Sequence, residues 1–476
     1  MLPKNLKYGS KIESAPSRSY RTNIAPQNGT GIYNLTGDTI IINIPTRNNL
    51  VLAPSESYLK FNLNVKSTYA GNNYLRWDSG GAHGIIQIIR IFHGSNLIQD
   101  IDNYGLLAKM LFDLQNPTDS VMGKLNILTG TRNDLVATLP TEATVNATDL
   151  ATAQALANAL KADFSNQRIS CNQVNSGDYI RSTGASTNKF AQNDTGVTTY
   201  CLNLISLVGS LCSSNYFPLF ACSSAPLRVE IQLVDSIVKA IACTSSAITT
   251  TLDNVEYIAQ FIELGDSAMS MVNESLGGQP LQFVVPDYRN FQYSYQLATS
   301  ATQVNFPIPA KFSSLKSLFL TIRDQGTGNV GYFPLSSATK QLNNYYFRVG
   351  SNVVPTKAPS TYPEMFSEVL KAIGSLSDIN HQPSIELASY TLQDSVANTD
   401  PISSVNSGSF YIGLDVENYA GASKDSIFAG YNSNTDDIFC VLNFNAQGSA
   451  TTVRFDAFAL FDEVVVFENG TAYVKF

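Results

Sequence analysis

The sequence predicts an all-β protein made of two tandem copies of one β-sandwich domain, with a few inserted helices. Three observations carry this. Apolar and polar residues alternate at period two along most of the chain, and clusters of Gly, Asn, Pro and Ser separate the alternating segments. Short motifs then recur in the same order in the two halves. The 476 residues leave room for two large domains. Only 14% of them are Asp, Glu, Lys or Arg, against about 25% in ordinary soluble proteins. Asn, Ser, Thr and Gln take their place, because the hydrophobic share is 44% and the mean hydropathy −0.03. With 23 Tyr and 25 Phe the chain is not a solvated coil. A net charge of −8 argues against a free nucleic-acid binder. A surface short of charge but supplied with amides and aromatics suits a protein whose neighbours are further copies of itself.

The elements follow in order. Residues 1–27 form a basic arm, in which Lys4, Lys7, Lys11, Arg18 and Arg21 face only Glu13. These five are the candidate partner-contact residues, for an acidic protein, a membrane or nucleic acid. The arm has no apolar core of the kind a secretory signal needs, and no stretch reaches the length of a membrane-spanning helix. The first domain is placed at 28–276. Strands are expected at Asp38–Pro45, Tyr58–Val65, Ile85–Phe92, Val197–Leu204, Leu227–Leu233 and Val255–Ile262. Helices are expected at Asn103–Leu114, about Thr148–Phe164, and Tyr362–Ile373. An Asn/Thr/Ala/Ser-rich insertion at about 116–194 reads as a large surface loop. The joint falls near Gly277-Gly278-Gln279-Pro280, and 277–476 is the second domain. The six cysteines, Cys171, Cys201, Cys212, Cys222, Cys243 and Cys440, contain no C-x-x-C pair and read as reduced and buried.

The duplication rests on particular matches. Ile91-Phe92-His93-Gly94-Ser95-Asn96-Leu97-Ile98 precedes a helix with Leu107, Met110, Leu111 and Leu114 on one stripe. Phe347-Arg348-Val349-Gly350-Ser351-Asn352-Val353-Val354 precedes one with Phe366, Val369, Leu370 and Ile373. The two G-S-N motifs lie 256 positions apart, as do Leu59-Lys60 and Leu315-Lys316. Val255–Ala259 and Val453–Ala457 close the halves alike. About eight strands with one helix inserted after a strand and a long loop is the layout of a jelly roll. An immunoglobulin-like repeat needs only about 100 residues and does not fit.

No catalytic constellation emerges. Gly326-x-Gly328-x-x-Gly331 matches a dinucleotide fingerprint, but Tyr332-Phe333-Pro334 after it argues for another strand where a helix is required. Asp194-Thr195-Gly196 stands alone, whereas aspartic-protease chemistry needs two such aspartates. His83, His93 and His381 lack metal-ligand spacing, and Asp100-x-Asp102-Asn103 fails the calcium-loop pattern at Tyr104. No nucleophile elbow is present, and the single Trp77 is a poor start for a carbohydrate cleft. The chain reads as no enzyme, with no cofactor, metal or small-molecule substrate.

A resemblance joins this reading. Ile42-Asn43-Ile44-Pro45, Tyr58-Leu59-Lys60-Phe61, the Ile91–Ile98 motif leading into Asp102-Asn103-Tyr104-Gly105, and Tyr216-Phe217-Pro218-Leu219 come in that order. Leu227–Ile231, Ser314–Phe319, Tyr346–Ser351, Phe461–Val466 and Asn469-Gly470 follow. Together they resemble the double jelly-roll major capsid proteins of icosahedral DNA viruses, nearest to those of virophages and polinton-like viruses. The resemblance implies two jelly rolls side by side and a homotrimeric, pseudo-hexagonal capsomer that self-assembles with neighbouring capsomers into the virion shell. It implies penton and minor capsid proteins as partners, loop towers such as 116–194, and a basic arm at the inner face against a membrane or the genome. The alternative is a jelly-roll spike or lectin-like receptor-binding protein.

Overall fold

The computed structural model describes residues 17–29, 31–70, 73–130, 189–190, 195–243, 245–324, 333–374, 376, 383–393, 407–417 and 430–475. Of the twenty-two strands among the described residues, sixteen form a repeated pair of sheets in each half. In chain order they are β1 (Ser17–Ile24), β2 (Thr39–Ile44), β3 (Tyr58–Ser67), β4 (Ile86–His93), β5 (Asn96–Asp102), β6 (Thr195–Leu202), β7 (Leu227–Leu233) and β8 (Ile248–Leu264). The second half supplies β9 (Leu281–Leu297), β10 (Thr302–Ile308), β11 (Leu315–Asp324), β12 (Leu342–Val349), β13 (Asn352–Val354), β14 (Tyr411–Asp415), β15 (Ile438–Phe444) and β16 (Thr451–Glu468). The first half pairs them as β1-β8-β3-β6 and β2-β7-β4-β5; the second as β9-β16-β11-β14 and β10-β15-β12-β13. Adding eight to each strand number converts one half into the other. This interleaved antiparallel order, with both sheets built from strands distant in sequence, is a jelly roll made twice.

Period-two patterning explains why each sheet has an inside. In β3, Leu59, Phe61, Leu63 and Val65 are buried while Tyr58, Lys60, Asn62 and Asn64 are half-buried on the other face. Leu227, Val229, Ile231 and Leu233 do the same in β7. The repeated G-S-N motif is a hairpin device. His93 pairs with Asn96 and Val349 with Asn352, leaving Gly-Ser as a two-residue loop in each half. Gly94 has φ +60° and Gly350 φ +58°, a left-handed conformation that suits glycine at the first loop position.

Helices α1 (Tyr104–Gln115) and α3 (Tyr362–Ile373) follow the two hairpins at the expected places. Thr361 and Glu364 form a capping box on α3, and Gly374 ends it with φ +79°. A third helix, α2 (Asp266–Leu276), lies just before the expected joint and carries no buried residue. With no apolar stripe committed to a core, it left no helical signature in the sequence. Short helical turns at Thr118–Ser120, Val121–Leu125 and Asn126–Thr129 open the insertion. The helix expected at Thr148–Phe164 and most of the segment 116–194 lie outside the described residues, as do Lys4, Lys7 and Lys11.

Two further differences stand out. Ser17–Ile24, expected in the basic arm, is a strand that pairs with β8 along its whole length, from Ser17 opposite Leu264 to Ile24 opposite Tyr257. Arg18 and Arg21 therefore sit in the first strand of the first roll. After the glycine cluster, Phe333-Pro334 is not the expected strand; the chain loops and the next strand begins at Leu342. Proline there offers no amide for a ladder.

The cores show how tightly α3 is held. A Cβ added to Gly413 of β14 would lie 2.6 Å from Val369 Cα and 3.1 Å from Ala372 Cβ, both in α3. Gly413→Ala is expected to lower stability by about 1–3 kcal/mol through overpacking, read as a lower denaturation midpoint with an unchanged β-rich circular dichroism spectrum.

Candidate functional site

The chemically richest part of the molecule is the seam between the two rolls. Lys109 of α1 is fully buried. Its ammonium lies 2.9 Å from Asp113 Oδ2 and 3.2 Å from Asp78 Oδ1, and donates to Ser79 Oγ at 2.9 Å. The second roll completes the cluster. Tyr411 and Ser409 donate to Asp113 Oδ2 at 2.7 and 2.8 Å, and Ser407 donates to Asp78 Oδ1 at 2.6 Å. Burial would raise the Asp113 carboxyl, but Lys109 and the hydrogen bonds of Tyr411 and Ser79 outweigh it and hold it below its ordinary range.

The seam continues through polar contacts from α1 and the β4–β5 hairpin to the second roll. Asn103 Nδ2 donates to Asp456 Oδ1 at 3.0 Å, and Arg323 and Arg454 flank the same carboxylate. Gln99 spans β5 and β9: its Nε2 donates to Asp287 Oδ1 at 2.7 Å, and its Oε1 accepts from Leu207 N at 2.9 Å. Aromatic packing of Phe217 against Phe283 and Phe467 fills the space beside it. One core cluster takes residues from both rolls, including Val285, Phe319, Tyr411, Phe458 and Phe467.

Asp287 and Glu463 are both buried in this seam, close enough to perturb each other. Burial, with the neighbouring Asp287, pushes Glu463 up to about 9. Burial raises Asp287 to about 6, partly countered by Gln99. Both carboxyls are thus held above their ordinary range, and the pair retains a proton that exposed carboxyls release.

The residues singled out in sequence are structural where described. His83 is buried, and its Nδ1 lies 2.8 Å from the Tyr104 hydroxyl, which accepts from Ile205 N at 3.0 Å. Burial lowers His83 to about 3, so it is neutral. His93 Nδ1 accepts from Ala472 N at 3.1 Å while Nε2 faces the carbonyls of Cys222 and Ala225. Trp77 donates to the Tyr200 hydroxyl at 2.8 Å inside the first core. Cys212, Cys222 and Cys243 are buried, which pushes each thiol up to about 12; Cys201 is half-buried. Among the described residues no group of three His, Cys, Asp or Glu is placed to hold a metal ion, and no helix is long and apolar enough to cross a membrane. His381, Cys171, Asp194 and Gly326–Gly331 lie outside the described residues. Arg18 stands 6.0 Å over the Tyr20 ring and Arg21 5.4 Å over Tyr58, so the two strand arginines rest on aromatic faces. Beyond Asp113 four positions on, nothing in the residue pattern marks Lys109 as a seam residue.

No protein-family model and no curated protein matches the chain. Solved structures do. The mavirus major capsid protein is similar over 100% of this chain and 93% of its own, with a TM-score of 0.57 at 12% identity. PBCV-1 VP54, fitted into a reconstruction of the virophage Sputnik, matches over 99% and 100%, with 0.56 at 10%. The Faustovirus major capsid protein matches over 97% and 92%, with 0.53 at 10%. The chain has the double jelly-roll fold of these proteins.

Two predictions follow from the seam. Lys109→Met strands Asp78 and Asp113 in the interior and is expected to destabilise the chain by about 3–5 kcal/mol, measured by urea unfolding. The second concerns pH. The folded chain holds protons on Glu463 and Asp287 that unfolded carboxyls, ordinarily at 4.5 and 3.8, release. The pair's contribution to stability is therefore whole below the unfolded values and declines as pH rises toward 9. Glu463→Gln keeps a hydrogen-bond donor without the titration, so its unfolding midpoint should fall less than that of the unaltered chain between acidic and alkaline buffer.

Proposed function

We propose that this chain is a major capsid protein, three copies of which form a pseudo-hexagonal capsomer that tiles the icosahedral shell of a DNA virus. The observation that carries the proposal is the repetition of eight strands in the same pairing order within one chain, together with its full-length likeness to major capsid proteins. Two similar rolls per chain give a trimer six similar sides, which is what a hexagonal lattice site requires. Head-to-tail contact of like subunits closes into a ring, so association stops at the capsomer. Contacts between capsomers are individually weak and add by multiplicity. The low charge of the chain supports this reading, because interfaces are depleted in Lys, Glu and Asp.

On this reading the chain is a structural, non-enzymatic component of the virion. The rolls divide at about residue 277, which fits the finding that no described strand pairs across the joint. Residues 116–194 form the principal outward tower. Lys4, Lys7 and Lys11 face inward to a membrane, minor capsid protein or genome, and penton proteins meet the shell at its vertices. The purified chain is expected to run as a trimer in size-exclusion chromatography with light scattering and to show pseudo-hexagonal particles in negative stain. A stable monomer at micromolar concentration would overturn the proposal.

A further inference from the structure

We infer that His93 is an acid-released latch between the two rolls. It holds the strand Thr471–Lys475 of the second roll to the first while its ring is neutral, and lets go when the ring takes a second proton. The inference goes beyond the capsomer reading and does not depend on it.

The internal repeat shows that the hairpin itself has no need of a histidine. His93-Gly94-Ser95-Asn96 in the first roll and Val349-Gly350-Ser351-Asn352 in the second make the same two-residue loop. Val349 and His93 are both buried, one apolar and the other polar. An imidazole buried in place of a valine costs free energy unless its ring nitrogens find partners. Here both do. Nε2 lies 3.1 Å from Ala225 O and 3.3 Å from Cys222 O, so it carries the hydrogen. Nδ1 lies 3.1 Å from Ala472 N, a group that can only donate, so Nδ1 is bare. The surroundings select one neutral tautomer.

The amide that Nδ1 accepts belongs to a turn of the other roll. Asn469 (φ +52°) and Gly470 (φ +76°) reverse the chain between β16 and Thr471–Lys475. Three hydrogen bonds seat this turn on the first roll. Ser224 N donates to Gly470 O at 3.1 Å, Asn96 Nδ2 donates to Ala472 O at 3.1 Å, and Ala472 N donates to His93 Nδ1. The fit is close, since a Cβ on Gly470 would lie 2.6 Å from Ser223 Oγ. Only the last of the three bonds involves a titratable group. A second proton on the ring sets a hydrogen on Nδ1 against the hydrogen of Ala472 N, and it leaves a buried cation in need of an anion.

The titratable groups on the surrounding elements do not supply that anion. Burial pushes the Cys222 thiol up to about 12, which keeps it neutral. In β7, Arg228 stands 4.6 Å over the Phe92 ring and pairs with Glu230 at 3.1 Å. Beyond the turn, Glu468 accepts from the Tyr473 hydroxyl at 2.9 Å, and Lys475 lies over the Tyr473 ring. Among the described residues no carboxylate forms an ion pair with His93.

The test is hydrogen–deuterium exchange of the full chain, read in the peptide spanning Thr471–Lys475 and corrected for the intrinsic effect of pH. Moving from about pH 7.5 to about pH 5 crosses the ordinary imidazole value of about 6.5. Protection of this peptide is expected to fall by about tenfold over that range, while β3 in the first core keeps its own. His83 does not confuse the reading, because burial lowers it to about 3. His93→Gln presents an acceptor and a donor without the titration, so its acid step should vanish. Asn96→Ala removes the neighbouring bond and leaves the ring, so protection should be lower at both pH values with the step intact. The latch is overturned by an unaltered chain without the step, by a step of equal size in His93→Gln, or by loss of the step in Asn96→Ala. None of these results touches the capsomer reading, and a monomeric chain that shows the step overturns only that reading.

Discussion

Three charged groups buried together govern how the halves of this molecule sit. Lys109, Asp78 and Asp113 come from the first roll, but Tyr411, Ser407 and Ser409 of the second supply hydrogen bonds that let them stay inside. Taking such charges out of water is expensive, and their attraction offsets that only in one geometry with every partner present. The network therefore acts more on placement than on net stability: a roll shifted along the seam would leave a carboxylate unpaired. Gln99 with Asp287 and Asn103 with Asp456 extend the same constraint along the seam.

That placement makes two topologically identical rolls different in their surroundings. The outward face of β9-β16-β11-β14 is covered, so Phe319, Phe458, Tyr411 and Asp456 are buried. The corresponding face of β1-β8-β3-β6 carries Lys60 paired with Glu256, and Asn62 and Asn64 donating to Asp253. Side-chain amides bonded across strands do there what charge pairs do on ordinary surfaces, with less to desolvate when another protein covers them. The small charged fraction of the chain is in this sense a property of its faces rather than of its cores.

Much of the fold was legible because burial on one face writes itself into period two. β3, β4 and β7 alternate cleanly, the Gly-Ser loop demands φ > 0 at residues 94 and 350, and α3 announces itself by stripe, capping box and terminal glycine. β1 was not legible as a strand, because an edge strand with no fully buried residue alternates between polar types and reads as a tail. α2 escaped for the same reason, having nothing to bury. Nothing in the local pattern marks Lys109 or Glu463: only their neighbours, distant in sequence, show that one is a buried, paired cation and the other a carboxyl whose affinity for its proton is raised.

By itself, then, the sequence determined the duplication and the type of those elements that bury a face, since each is set by local pattern or by spacing along the chain. The tertiary structure alone decided which faces are seam and which are open, where Arg18 and Arg21 lie, and which carboxyls are held above their ordinary range. Those depend on what approaches a residue through space, and hydrogen bonding, desolvation and charge act over distances that the order of residues does not encode.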